Sequence, residues 1–392
     1  MKGWVTKRLG EVCSITSALV DPRVTKYADM LHVGGANIES VTGELVDLKT
    51  AKEEELISGK FVFDDSMVLY SKIRPYLMKV ARPDFEGLCS ADIYPLTPAP
   101  GVLDRGYLFH HLLSPRFTDF AVSGSARAGM PKVNRDHLFT YLLPLPPLAE
   151  QQRIVGVLDE AFEGLATARA NAEKNLQNAR AIFESHLQSV FTQRGPGCKQ
   201  KTLEEVATTF GRGKSKHRPR NEPKLYGGKY PFIQTGDIRN ADHFITEYSQ
   251  TYSELGLAQS KLWPKGTICI TIAANIAETA ILGFDACFPD SIIGVVANPK
   301  EAEVGFIEYL LQSFKARIQA LGKGSAQANI NMGTFENERF PFPPVAEQKE
   351  IVAKLDALRE ETQRLARLYE RKRAALEALK KSLLHEAFNG GL

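Results

Sequence analysis

Arg212, Lys214, Lys216, His217, Arg218 and Arg220 crowd one short stretch that also carries Gly213 and Pro219. Basic side chains on a loop of this kind can reach phosphate oxygens or base edges. The plain alternative is a solvated loop. Three other groups offer similar chemistry. Lys72-Ile73-Arg74-Pro75-Tyr76 joins two apolar runs and reads either as a surface turn or as a phosphate or base contact. Arg127, Lys132, Asn134 and Arg135 flank the glycine-bearing stretch 123–130, and Lys323, Gln327, Asn329 and Asn331 occupy the matching place in the second half. Arg pairs with guanine, and Asn or Gln with adenine, through two hydrogen bonds in the major groove. Loops are commonly polar, so a surface role stays open for these sets.

No catalytic constellation accompanies these residues. Gly213-Lys214-Ser215 ends like a phosphate-binding loop, but position 208 is Thr208 where the motif needs glycine. Both Pro-Pro pairs follow Leu145 or Phe342, not the Asn or Asp that an adenine methyltransferase motif needs. Pro83-Asp84 and Pro289-Asp290 lack a downstream Glu-x-Lys, so a nuclease centre is not supported. The five cysteines are scattered without metal-ligand spacing and read as reduced thiols. His110 and His111 fall in an amphipathic run and read as structural. The expectation is no catalytic residue, no bound metal and no cofactor in this chain.

The element that must position these residues occurs twice. Leu145-Pro146-Pro147-Leu148-Ala149-Glu150-Gln151 continues through Ile154, Val155, Leu158 and Asp159. Phe342-Pro343-Pro344-Val345-Ala346-Glu347-Gln348 continues through Ile351, Val352, Leu355 and Asp356, a constant 197 residues later. A Pro-Pro pair ends a strand yet fits the first turn of a helix, where Glu150 or Glu347 suits the dipole. Each joint opens a long helical pattern, 148–192 and 345–388. Val155, Leu158, Phe162, Leu165, Arg169, Ala172, Leu176, Ala179, Phe183, His186 and Val190 step alternately by three and four, as a heptad seam does. The second seam is Leu355, Leu358, Thr362, Leu365, Tyr369, Lys372, Leu376, Leu379 and Leu383. Some 45 residues extend roughly 65 Å at ~1.5 Å each. Neither helix can hide its seam alone, and the equally long partner is the other one. An antiparallel coiled coil is expected.

The segments between the helices also repeat. Strand-like runs lie at 30–33, 67–73, 77–81 and 93–96, a helical pattern at 107–122 and a last strand at 139–143. In the second half 266–272 echoes 67–73, 304–321 is again helical, and Cys287 and Asp290 keep the spacing of Cys89 and Asp92. The expected fold is α+β: two similar globular domains of mixed α and β structure, 1–146 and 195–343, alternating with long helices at 147–194 and 344–392. The whole is a pseudo-two-fold internal repeat.

On this doubled joint, and on Tyr230-Pro231-Phe232-Ile233-Gln234-Thr235-Gly236-Asp237-Ile238 with His32-Val33-Gly34-Gly35-Ala36-Asn37-Ile38 in the similar place, the chain resembles the specificity subunits of type I restriction–modification systems. The resemblance covers essentially the full chain. It implies two target recognition domains, each reading one half of a bipartite asymmetric site in double-stranded DNA. It also implies helices that set the unread gap and dock two methyltransferase subunits, with restriction subunits joining them. S-adenosylmethionine, ATP and Mg would then belong to those partners. A specificity chain of another restriction–modification type, or a coiled-coil scaffold binding proteins at its globular ends, are the competing readings.

Bulk properties agree with either class. The chain has 392 residues, 43% hydrophobic and 24% charged, with a net charge of +3. That charge neither demands nor excludes nucleic acid; its distribution matters more. No apolar stretch is long enough to span a bilayer, and the N-terminus lacks a secretory pattern, so a cytoplasmic protein without a membrane partner is expected.

Overall fold

A computed structural model describes residues 3–125, 130–192, 197–216, 219–273, 276–322, 330 and 332–392. They pack as two units, Met1–Lys174 with Glu370–Leu392, and Asn175–Tyr369. Two helices of 45 residues each, Leu148–Thr192 and Val345–Asn389, give one end to each unit.

The two units share one strand plan. In the first, Ile93–Pro98 lies between Cys13–Ser14 and Val68–Ser71, with Val80–Ala81 beyond the latter. In the second, Ile292–Ala297 lies between Ala207–Arg212 and Ile268–Thr271, with Thr279–Leu282 beyond. A further sheet of the first unit orders Lys60–Phe63, Gly87–Ser90, Leu31–Val33 and Lys49–Thr50. Its counterpart orders Leu262–Trp263, Ala286–Cys287, Tyr226–Phe232 and Gln250–Tyr252. In both of these sheets the one parallel pairing falls at the buried cysteine, Val33 with Cys89 and Phe232 with Cys287. The turn that follows is built alike: the Asn37 side chain accepts from the Gly34 amide, and that of Asp237 from the Gln234 amide, each at 2.8 Å. Each unit adds its own edge strand, Leu19–Val20 or Phe244–Ile245. A short antiparallel pair, Val5–Arg8 with Leu142–Leu145 and Lys199–Lys201 with Phe340–Phe342, leads into each joint.

The joint explains its own residue types. Gln151 and Gln348 look like exposed first-turn residues but are fully buried. The Gln151 amide donates to the Val102 and Pro146 carbonyls, both at 2.9 Å, and its oxygen accepts from the Asp104 amide at 2.8 Å. Gln348 repeats this with Glu301, Pro343 and Glu303. One side chain thus satisfies three backbone groups that would otherwise be buried without partners. One turn on, Val155 faces Gly106 and Val352 faces Gly305, and a Cβ on Gly106 would meet Val155 Cγ1 at 2.7 Å. Asp159 then accepts from His110 at 2.7 Å and from Arg82, while Asp356 accepts from Tyr309 at 2.6 Å. Each globular part is keyed to its helix at three successive turns.

Within each unit the helix ends run antiparallel. In the first, Glu173 pairs with Arg373 at 3.4 Å, Arg169 with Glu377 at 3.9 Å, and Lys380 lies 4.7 Å from the Phe162 ring centre. In the second, Arg359 lies 4.9 Å from the Phe183 ring, and Leu355 shares a core with Leu187 and Phe191. Leu384, Ala387 and Phe388 enter the core of the first unit beside Ile154 and Leu158.

The expected seams hold in part. Leu158, Ala172, Leu176, Ala179, Leu355 and Thr362 are buried, and the Thr362 hydroxyl donates to the Leu358 carbonyl at 2.9 Å. Arg169, His186, Lys372 and Leu379 are exposed instead, while Leu187 and Leu384 are buried. A straight helix drifts by about 20° per heptad from a 3.5-residue repeat, so a strict heptad assignment leaves the buried face. Two other expectations change. The helical pattern at 107–122 is two helices, Arg105–Leu112 and Pro115–Ser123, because Pro115 cannot continue the first and the Ser114 hydroxyl caps the second. The second unit has no proline there and keeps one helix, Val304–Gly322. The expected strand at 139–143 starts later, at Leu142, after the helix Arg135–Phe139.

Candidate nucleic-acid interface

In the first unit the structure brings Lys72, Arg74 and Lys132 together. Ile73 and Lys132 form an isolated β-bridge, the Val133 amide donates to the Lys72 carbonyl at 2.8 Å, and the Arg74 amide to the Pro131 carbonyl at 2.8 Å. Arg74 takes the left-handed conformation, φ 51°, and turns the chain into the short turn Pro75–Leu77 with its side chain exposed. Lys72 and Lys132 converge on one carboxylate, their Nζ atoms 3.5 and 3.3 Å from Asp92 Oδ1. Lys72 also donates to the Ala91 carbonyl and lies 5.2 Å from the Tyr94 ring centre. Partial burial, and then the nearby Lys132, pull the Lys72 ammonium below its usual lysine range, against Asp92. Asn134 acts differently, capping the helix Arg135–Phe139 by accepting from the His137 amide at 2.7 Å. Arg135, the next residue, is exposed.

In the second unit Arg212 ends the strand Ala207–Arg212, and its Nε donates to the Asp290 carbonyl at 2.7 Å. Arg220 Nη2 meets both Asp290 carboxylate oxygens, at 2.9 and 3.0 Å. Between them the loop is pinned down. Ser260 Oγ donates to the Lys214 carbonyl at 2.8 Å, and the Lys216 amide to Gln259 Oε1 at 2.6 Å. Gly213 lies so close to the Phe288 and Pro289 carbonyls that a Cβ would meet them at 2.3 and 2.4 Å. This clamp leaves Lys214 and Lys216 exposed. It also sets Lys214 near Lys261, a cation that sequence reasoning does not single out. Lys261 Nζ lies 3.6 Å from the Trp263 ring centre, and burial, then Lys214, hold it below the usual lysine range. The only local signal was a lysine two residues before a tryptophan. Two neighbouring cations, one of them over an aromatic ring, favour an anion.

Arg127, Arg218, Lys323, Gln327 and Asn329, with His217 and Asn331, lie outside the described residues. Among the described residues, no group of three or more His, Cys, Asp or Glu could hold a metal ion. No helix there is long and apolar enough to cross a membrane.

Two units of one strand plan, each keyed to paired helices and each carrying its own basic set, define a tandem module. The model of the family described as the type I restriction modification DNA specificity domain matches residues 1–175 and 197–370, and the chain belongs to that family. Its relatives include the type I restriction enzyme EcoDI specificity subunit of Escherichia coli, 35% identical over 190 residues, 48% of this chain but 41% of that protein. The putative MjaX specificity subunit of Methanocaldococcus jannaschii is 20% identical over 412 residues, 99% of this chain and 93% of that one. Among solved structures, the HsdS subunit from Thermoanaerobacter tengcongensis is 25% identical with a TM-score of 0.69, covering 100% of this chain and 98% of that one. A chain from work on complex assembly and conformational transition of the type I R-M system shares the fold at 24% identity and a TM-score of 0.84, covering 100% and 99%.

Proposed function

We propose that this chain is the DNA-reading subunit of a type I restriction–modification enzyme. Each unit reads one half of a bipartite asymmetric site in double-stranded DNA. The long helices set the unread gap and dock two methyltransferase subunits, to which restriction subunits add. The chain performs no chemistry itself; S-adenosylmethionine, ATP and Mg serve the partners.

The reading is carried by one observation: the same strand plan occurs twice, while the basic residues on it differ. Among the described residues, Lys72, Arg74 and Lys132 of the first unit have no counterpart set in the second, where Arg212, Lys214, Lys216, Arg220 and Lys261 supply the charge. A repeated frame with unlike contact residues suits the reading of two unlike half-sites. Phosphate contacts would fix position and base-edge contacts the sequence.

Methylation mapping tests this. The chain, co-expressed with its methyltransferase subunits in a host without modification, is expected to direct methylation to one bipartite motif. Replacing residues 1–142 with another recognition domain is expected to change one half of the motif only. Each base change in a half-site costs about 1–3 kcal/mol, and changes in the gap cost little. Methylation without sequence preference refutes the proposal.

A further inference from the structure

Each unit places an aspartate on the connection between the buried cysteine of its parallel pairing and the next strand, and in both it gathers basic residues. By strand register Asp92 matches Ser291, so Asp290 stands one residue earlier. Asp92 and Asp290 each stand three residues after the buried cysteine of the parallel pairing, at the entry to Ile93–Pro98 or Ile292–Ala297. The cations that reach them come from different parts of the chain. Asp92 holds Lys72, which follows the strand Val68–Ser71, and Lys132, which precedes Val133. In the second unit the residue following the matching strand Ile268–Thr271 is the buried apolar Ile272. Asp290 instead receives Arg220, from the loop after Ala207–Arg212, while Arg212 bonds its carbonyl. Two unlike scaffolds thus deliver unlike cations to a carboxylate on the same connection of each unit.

Resting on the reading of the chain as a DNA reader, we propose that Asp92 and Asp290 are specificity-determining positioning residues. Each holds the cations of its unit in one orientation, so that they discriminate bases instead of gripping any phosphate. The geometry allows this. Arg220 spends Nη2 on Asp290, and among the described residues Nε and Nη1 carry no bond to an acceptor. The pair is part exposed, 50% for Arg220 and 38% for Asp290, so a duplex can reach it. A guanidinium held by a carboxylate keeps its plane fixed and Nη1 aimed, which a directed contact to a base edge requires. The same carboxylate repels a phosphate, so unspecific binding is held down. An exposed ion pair of this kind adds little to folding stability, so a role in recognition, not in folding, accounts for its position.

The test uses the chain purified with its methyltransferase subunits and challenged with a library of random duplexes. Wild type is expected to enrich one bipartite motif. Asp290→Asn is expected to lose about 10-fold in base preference within one half of it, and Asp92→Asn within the other. Binding to a scrambled duplex is expected to hold or tighten in both variants. Arg220→Lys, which keeps the charge but loses the planar guanidinium, is expected to match Asp290→Asn. Wild-type melting temperatures are expected for all three variants, since exposed ion pairs add little to stability. Motifs of wild-type depth in both aspartate variants overturn the proposal. So does an equal loss on specific and scrambled duplexes, which a merely structural role would give. A wild-type complex that enriches no motif is a separate result and refutes the DNA-reading function itself.

Discussion

Gln151 accepts the backbone amide of Asp104 at 2.8 Å and so ties the first turn of a long helix to the start of a domain helix 47 residues earlier. The same side chain donates to two further carbonyls and is fully buried. Gln151→Ala strands these groups, and the expected loss is about 3 kcal/mol of stability in the first unit. Hydrogen exchange checks it locally: the Asp104 amide should exchange faster, while the Glu303 amide, held by Gln348, keeps its wild-type rate. Equal protection of Asp104 in variant and wild type would show that the bond contributes nothing.

Acid should weaken the first unit through His111. This imidazole lies 2.8 Å from the Tyr141 hydroxyl and 4.4 Å, centre to centre, from the Phe388 ring. Burial, with a smaller push from Arg116, drops it from 6.5 to about 3. Burial lowers His110 as well. Because the folded value lies below the unfolded one, the unfolded chain binds the proton more tightly. The stabilisation is therefore complete above about pH 6.5 and is lost as pH falls towards 3, by up to ~1.4 kcal/mol per pH unit for His111. Urea unfolding at about pH 7.5 and about pH 5 should differ by roughly 2 kcal/mol from this residue. His111→Phe should flatten that part of the slope; an unchanged slope would assign the acid sensitivity elsewhere.

Much of this architecture is legible in the sequence because it rests on long, repeated patterns. The helices Leu148–Thr192 and Val345–Asn389 follow from long helical periodicity opened by Pro-Pro. Errors arise where a short signal outweighs a long one. Ser114-Pro115 splits a helix that apolar spacing alone would carry through, and Asn134 is a cap although it resembles a base-reading residue. The buried role of Gln151 and Gln348 is not legible, because a glutamine in a first turn ordinarily faces water. The spacing of Asp92 and Asp290 is visible, but the cations they collect come from distant segments and emerge only in three dimensions. Lys261 is hidden for the same reason: its partner Lys214 lies on another loop.

Lys261 should contribute affinity without sequence preference. It lies over Trp263 near Lys214, on the loop clamped by Ser260 and Gln259. Such a pair suits a backbone phosphate, whose binding releases counterions. Lys261→Gln is expected to weaken binding to matched and scrambled duplexes alike and to reduce the salt slope by about 1. Titrations of both duplexes across a salt series check it. A change confined to the matched duplex would make Lys261 a base reader instead.

The length of the helices should set the gap between half-sites. Glu173 and Arg373, 3.4 Å apart, mark where the two helices lie side by side within the first unit. Four residues inserted after Ala172, matched by four before Arg373, lengthen both helices there by about 6 Å. They rotate the following face by about 40° beyond a full turn, so the apolar sides still meet. At roughly 3.4 Å per base pair the tolerated gap should grow by about two base pairs. The half-site sequences should stay the same, since no recognition residue moves within its own unit. Methylation mapping reads both quantities at once. A longer gap with unchanged half-sites assigns spacing to the helices and sequence to the units; an unchanged gap removes the helices as its source.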